Sequence, residues 1–150
     1  MEKIIVRGLR LKAYHGVNPE EKVNGQMFEL DITALIDAKT ANGLFHPEWP
    51  IYTRTNDSCP TQYFETAEAR KSVVSNGCLI EGSIENCVVG RGTIIKKGAV
   101  VKNAILLPGV VIGADAHVEN VVVDKNAKIL HAKKVVSEGA PGYIRRNDVL

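Results

Sequence analysis

Aliphatic residues recur every six positions through the second half of the chain. Val89, Ile95 and Val101 lead three successive hexads, and Leu106, Ile112 and Val118 lead the next three. Val74 and Ile80 precede them, and Val123 and Ile129 follow. Four places beyond most of these stands a small or modest residue: Cys78, Thr93, Ala99, Val110, Ala116 and Ala127. A longer repeat is laid over the hexads. Glu85-Asn86, Lys102-Asn103 and Glu119-Asn120 are spaced seventeen residues apart, and an earlier copy, Ser72 to Asn86, is shorter by two.

A period of six fits neither an amphipathic helix nor a long alternating strand. It predicts a short strand, a corner and another short strand, with three sides closing one turn of a coil. The first and fifth residues of each side then point inward. Gly77, Gly92, Gly98, Gly109 and Gly113 fall between the sides, where corners need a residue tolerant of positive φ. Successive turns would pair as parallel strands about 4.8 Å apart. The stacked columns are then Val74, Val89, Leu106, Val123 and Ile80, Ile95, Ile112, Ile129. No aromatic residue occurs between Glu65 and Gly142, as a narrow three-sided core requires. Repeats of this kind decide the architecture before any single residue does.

The first forty residues carry a different pattern. Phe28, Leu30, Ile32, Ala34 and Ile36 alternate with Glu29, Asp31 and Thr33, the period of a strand with one wet face. The expectation for 1–41 is a β-hairpin, with strands near Lys3–Lys12 and Met27–Asp37 joined by the polar stretch Tyr14 to Glu21. Such a hairpin is marginal in water unless it packs on something. Residues 42–71 form an irregular connector, with Pro47, Pro50 and Pro60 interrupting Trp49, Tyr52, Tyr63 and Phe64. Proline removes a backbone donor and fixes φ, and aromatics in such a segment fasten it to a neighbouring surface. The coil is expected over 72–136 and a C-terminal tail over 137–150, with the tail and the hairpin as caps for the open ends.

Charge narrows the function classes. Nineteen Lys and Arg stand against seventeen Asp and Glu, a net of +2, and no basic stripe points to nucleic acid. There is no apolar leader and no run of eighteen apolar residues, so neither a secretory signal nor a membrane span is expected. Three cysteines, Cys59, Cys78 and Cys87, make an odd number without a CxxC pair. Cys78 is expected to face inward and the other two to be free thiols, with no disulfide or metal framework. That usage suits the reducing cytoplasm.

The hexads resemble the hexapeptide-repeat left-handed β-helix. The left hand comes from that resemblance, since parallel strands by themselves favour right-handed crossovers. The fold class expected is therefore all-β, a single-stranded left-handed parallel β-helix with an N-terminal β-hairpin. Ile4 to Asp37, with Tyr14-His15-Gly16, Pro19-Glu20-Glu21, Gly25-Gln26 and Phe28, resembles the start of dihydroneopterin aldolase over about forty residues. The resemblance implies that Glu21 contacts a pterin near a subunit boundary. The family's catalytic lysine and pterin-anchoring glutamate have no counterpart after Ala41. His15 is expected to be a hydrogen-bonding turn residue, since no partner orients it as a base.

From Leu44 onward the chain resembles the bacterial glucose-1-phosphate adenylyltransferases, in their non-catalytic, regulatory-type subunit of glycogen synthesis. The resemblance rests on Leu44-Phe45-His46-Pro47-Glu48-Trp49-Pro50-Ile51-Tyr52-Thr53-Arg54, on Asn56 to Tyr63, on Gly77-Cys78-Leu79-Ile80-Glu81-Gly82 and on Gly142-Tyr143-Ile144-Arg145-Arg146. It implies an oligomerising, regulatory β-helix that needs no cofactor. It also implies assembly as a homo-oligomer, or with a catalytic adenylyltransferase subunit. No Gly-rich nucleotide loop lies between a strand and a helix, so the nucleotidyltransferase part has no counterpart here. The chain thus joins two unrelated beginnings, as a fusion, a rearranged reading frame or an engineered product. Arg145 and Arg146 suggest a phosphate-binding pair beside the plainer reading of a solvated tail.

Two alternatives stand beside that function. A hexapeptide-repeat acyltransferase would use acetyl-CoA and a coil histidine. His117 is the only one, expected to point outward at a corner with no inserted loop beside it. Pterin binding through Glu21, without turnover, is the other. No catalytic residue and no metal ligand is assigned.

Overall fold

The computed structural model describes residues 57–150, the backbone of 3–13 and 26–35, and Glu48. Strands β1 (Lys3–Ala13) and β2 (Gln26–Leu35) pair antiparallel, with a register shift between Val6 and Leu9. The stretch between them, with His15 and Glu21, lies outside the described residues.

The coil has five rungs. Strands β3 (Gln62–Tyr63), β4 (Glu68–Arg70) and β5 (Val73–Val74) form the first, and β6 (Leu79–Ile80), β7 (Ser83–Glu85) and β8 (Val88–Val89) the second. The third holds β9 (Ile94–Ile95), β10 (Val100–Lys102) and β11 (Ile105–Leu106), and the fourth β12 (Val111–Ile112), β13 (His117–Glu119) and β14 (Val121–Val123). The fifth holds β15 (Lys128–Ile129), β16 (Lys134–Val136) and β17 (Gly142–Ile144). Every third strand stacks in parallel, giving three five-stranded walls. The structure over 59–144 is thus an all-β parallel solenoid, as the period of six predicts.

The walls keep register through the whole stack. Ile80, Ile95, Ile112 and Ile129 are direct partners in the isoleucine wall. Val74, Val89, Leu106, Val123 and Ile144 follow one another in the valine wall. Ala69, Ile84, Val101, Val118 and Val135 do so in the third, which we call the charged wall. The inward residues of the middle rungs are fully buried. The small fifth positions, Cys78, Thr93, Ala99, Val110, Ala116 and Ala127, fill the prism's corners at no more than 2% exposure. Thr93, the one buried polar side chain among the described residues, donates to the Gly90 carbonyl at 2.7 Å.

The seventeen-residue asparagine spacing has a conformational cause. Asn86, Asn103 and Asn120 have φ of 53°, 48° and 54°, the left-handed region in which asparagine is the most tolerant residue after glycine. They stack at the corner between the charged and valine walls. The Asn86 Nδ2 donates to Asn103 Oδ1 at 2.8 Å, and Asn120 Nδ2 to the carbonyls of Ser137 and Gly139 at 3.0 and 3.1 Å. The Asn103 and Asn120 backbone N–H groups also donate to Glu85 and Lys102 one rung below.

The two-residue deficit of the early copy lies at one corner. Ile80 and Ile84 are four steps apart, whereas Ile95 and Val101 are six apart, yet both pairs occupy the same two columns. Gly82 makes the shortcut possible. A Cβ there would stand 2.5 Å from the Ala99 carbonyl oxygen and 2.9 Å from that of Lys96.

Two expectations need correction, and a third needs a detail added. The coil begins at Gln62, inside the stretch assigned to the connector: Tyr63, Ala69 and Val74 continue the three columns by register, though Tyr63 and Ala69 are exposed at this open end, and only Val74 is an aliphatic that marks a hexad. The tail assigned to 137–150 is partly wall, since Ile144 completes the valine column and is buried. Its end then turns back: Val149 bridges Lys128, and the Leu130 and His131 N–H groups donate to the Leu150 carbonyl. Cys87 is a free thiol, as expected, but is fully buried, held by its Sγ donating to the Glu85 carbonyl at 3.1 Å. The corner it occupies is one residue shorter than the hexad, which hides its inward position.

Two substitutions test this packing. Ile112→Ala should cost about 2–5 kcal/mol, through lost burial plus an unfilled cavity. Val111→Ala, one residue along but facing outward, should cost less than about 1 kcal/mol. Equal losses in denaturant melts would contradict the assigned facing. Gly82→Ala should lose about 1–3 kcal/mol by forcing backbone apart at the short corner, and an unchanged melting midpoint would show that the corner has slack.

Candidate functional site

With the interior filled by aliphatic side chains, chemistry can reside only on the outside, at the corners or at the ends. The three walls differ in what they turn outward. On the charged wall the third positions of successive strands are Arg70, Glu85, Lys102 and Glu119, each directly opposite the next. The signs alternate, so each charge faces its opposite across the strand gap. Lys102 Nζ lies 3.7 Å from Glu85 Oε2, and both side chains are more than 40% exposed. Pairs so exposed contribute little individually, but they fix register and keep this wall solvated.

His117 stands in the same wall. It is the first residue of β13, facing outward, and not in a corner as the hexad count suggests. Its Nε2 is 3.1 Å from Glu119 Oε2, two residues on and on the same face. The wall is flat there, so the pair has a hydrogen bond but no enclosing cleft. An open groove of about 530 Å³ follows the short corner, lined by Thr66, Glu68, Ser83, Lys97 and Asp115 among others. Its charges are mixed and solvent-facing. Among the described residues no three His, Cys, Asp or Glu side chains are grouped to hold a metal ion.

The isoleucine wall turns Leu79, Ile94 and Val111 outward, each half-buried. The valine wall turns out Val73, Val88, Ile105, Val122 and Tyr143, which are direct partners in sequence. Tyr143 Oη donates to Asp124 Oδ2 at 2.6 Å. Burial first, and that carboxylate second, push its phenol up to about 12. Burial likewise pushes the Cys87 thiol up to about 11, so it stays protonated and unreactive at neutral pH.

The other expected site residues do not converge. Arg145 and Arg146 are both exposed in a turn closed by the Arg145 N–H donating to Asp148 Oδ2 at 3.3 Å, and by the Asp148 N–H donating to the Arg145 carbonyl. Glu21 lies outside the described residues. The feature that residue-by-residue reading missed is the alternation of charge down one wall. It was findable in the seventeen-residue spacing, since Glu85, Lys102 and Glu119 immediately precede the repeating asparagines.

Residues 59–140 match the family described as GlmU-like, C-terminal hexapeptide. This chain belongs to that hexapeptide-repeat family. Residues 4–77 also match dihydroneopterin aldolase, a match that runs past the limit at Ala41 expected from the residues. Where the two overlap, residues 62–77 are rungs of the coil, so there the hexapeptide assignment is the one the fold bears out. Among curated proteins the chain is 39% identical over 116 residues to the glycogen biosynthesis protein GlgD of Bacillus subtilis, covering 77% of this chain and 34% of that protein. It is 45% identical over 67 residues to GlgD of Geobacillus stearothermophilus, covering 45% of this chain and 20% of that protein. It is 33% identical over 97 residues to the glucose-1-phosphate adenylyltransferase of Corynebacterium jeikeium, covering 63% of this chain and 24% of that enzyme. The chain therefore spans between a fifth and about a third of these relatives.

The hexapeptide stack is expected to feel its charge order. Lys102→Glu would set like charges directly opposite Glu85 and Glu119 and should cost about 1 kcal/mol. The loss should shrink as salt is raised. A salt-independent loss in thermal melts would mean that packing, and not charge, had been disturbed.

Proposed function

We propose that this chain is a non-catalytic assembly and regulatory module of glycogen biosynthesis, acting by association with a catalytic glucose-1-phosphate adenylyltransferase subunit. One observation carries the reading: the described residues build a rigid prism whose outward apolar groups lie where another chain can reach them. Leu79, Ile94 and Val111 make a stripe along the isoleucine wall. The exposed large apolar side chains among the described residues sit on the first rung (Tyr63, Phe64, Val73) and at the last (Leu130, Val136, Val149, Leu150). Apolar groups so gathered mark interaction surfaces, and unpaired strand edges at the two ends add to them.

The similarity to GlgD over 77% of the chain supports the pathway. The chemistry of the described residues supports a supporting role, since a flat His117–Glu119 pair and a solvated groove lack a water-excluding pocket. Arg145 and Arg146 belong to this reading as a contact for a phosphorylated effector, reached from the exposed final turn. Glu21 carries no step in it.

The test is assembly. The purified chain should form a defined oligomer in light scattering. It should co-elute with a glucose-1-phosphate adenylyltransferase, and show no adenylyltransferase turnover when alone. Val111→Asp should weaken the association at least about tenfold, the scale of a central apolar contact. A strictly monomeric chain that never co-elutes, or turnover by the chain alone, would overturn the proposal.

A further inference from the structure

The isoleucine wall turns two columns outward. One runs through Gln62, Leu79, Ile94, Val111 and Lys128, each the direct partner of the next. It is polar at both ends and apolar on the three rungs between. The other stands two residues further along each strand, on the same face. It holds Phe64, Glu81, Lys96 and Gly113, whose N–H groups donate in turn to the carbonyls of Ile80, Ile95, Ile112 and Ile129. Its members are unlike one another: an aromatic ring 44% exposed, a half-buried acid, an exposed base and no side chain at all.

We propose that this wall pairs with the same wall of a second copy, the two coils antiparallel and the two-fold axis lying between the second and third rungs. The pairing rests on the assembly reading above in taking the isoleucine wall as a contact face. The order of the residues selects the geometry, because a two-fold contact sets a patch against itself. With the coils parallel the two columns would cross over. Leu79 would then meet the partner's Glu81, and Ile94 the partner's Lys96, apolar against charged. With the coils antiparallel each column meets itself in reverse order. An axis through the second rung would set Glu81 on the partner's Glu81, and one through the third would set Lys96 on the partner's Lys96. An axis between the third and fourth would set Leu79 on the partner's Lys128.

Between the second and third rungs each of these conflicts disappears. Leu79 meets the partner's Ile94, and Glu81 meets the partner's Lys96, each pair formed twice. Phe64 lies over the partner's Gly113, where no side chain opposes it. Complementary charge fixes this register and penalises the others. Four rungs make a narrow face, smaller than a permanent interface, so the pair is of the weak, reversible kind. It leaves the end rungs of both copies free for a different chain.

The test uses the full-length chain in sedimentation equilibrium, from micromolar to millimolar protein. A monomer–dimer equilibrium is expected. Lys96→Glu and Glu81→Lys should each weaken it at least about tenfold, since each sets like charges opposite one another twice. Mixed in equal amounts, the two variants should associate again, because each chain then offers the charge the other lacks. Lys134→Glu makes the same charge change on the charged wall and should leave the dimer constant unchanged. The Glu81 carboxylate also accepts the Lys97 N–H at 3.1 Å, so Glu81→Lys loses a turn contact as well. Phe64→Ala, at an exposed ring, is the second probe and should weaken the dimer several-fold without lowering the melting temperature.

A chain that stays monomeric at millimolar concentration would overturn the pairing. So would a mixture of the two charge variants that associates no better than either alone. Co-elution with a catalytic adenylyltransferase is scored separately. A monomer that still co-elutes removes this pairing and spares the assembly reading, whereas a dimer that never co-elutes supports the pairing and removes that reading.

Discussion

Each rung of this coil is too small to have a core of its own. What it has is a neighbour above and below, in register, presenting the same side chain to the same column. Backbone N–H and C=O groups close between rungs, as from Leu79 to Thr93 and from Ile94 to Val110, and the aliphatic columns are packed by the same act. Stability in such a stack is a sum over neighbouring interfaces and not a property of any one turn. Everything else depends on keeping register: the asparagine corners, the small fifth positions and the glycine shortcut all serve it.

The interior being fully committed to packing, the three exteriors divide the remaining tasks. The charged wall stays wet through alternating signs from Arg70 to Glu119. The valine wall has its outward residues Ile105 and Val122 buried and Val73 exposed. The isoleucine wall and the end rungs remain available. A polypeptide organised this way is suited to holding other chains in fixed relation, and its similarity to glycogen biosynthesis proteins agrees with that use.

Much of this was legible in the residues. The columns led by Ile80 and Val89 were plain because two walls obey a strict step of six. The third wall was obscured where corners depart from it: Ile84 arrives two residues early after Gly82, and Cys87, Ala104 and Val121 arrive after a short corner. The first rung was hidden because Tyr63 and Ala69 are not the aliphatics that mark a hexad, and prolines and aromatics nearby suggested an irregular linker. The outward residues were harder still. Periodicity says which positions point away from the core, but not whether anything lies over them, so nothing in the pattern separates Ile105 from Ile94. The position of His117 was missed for a related reason, since counting within a hexad does not tell a strand's first residue from a corner.

The short corner at Gly82 shows that a rung can lose two residues between Ile80 and Ile84 while both remain in column. Length is thus conserved where strands pair and negotiable where they turn. Insertions and deletions at the turns leave the ladder untouched, whereas the loss of one residue inside a strand would turn its buried side chain out to water. An architecture with that tolerance can acquire new loops one vertex at a time, which is a route by which a purely supportive rod could gain a binding function without being rebuilt.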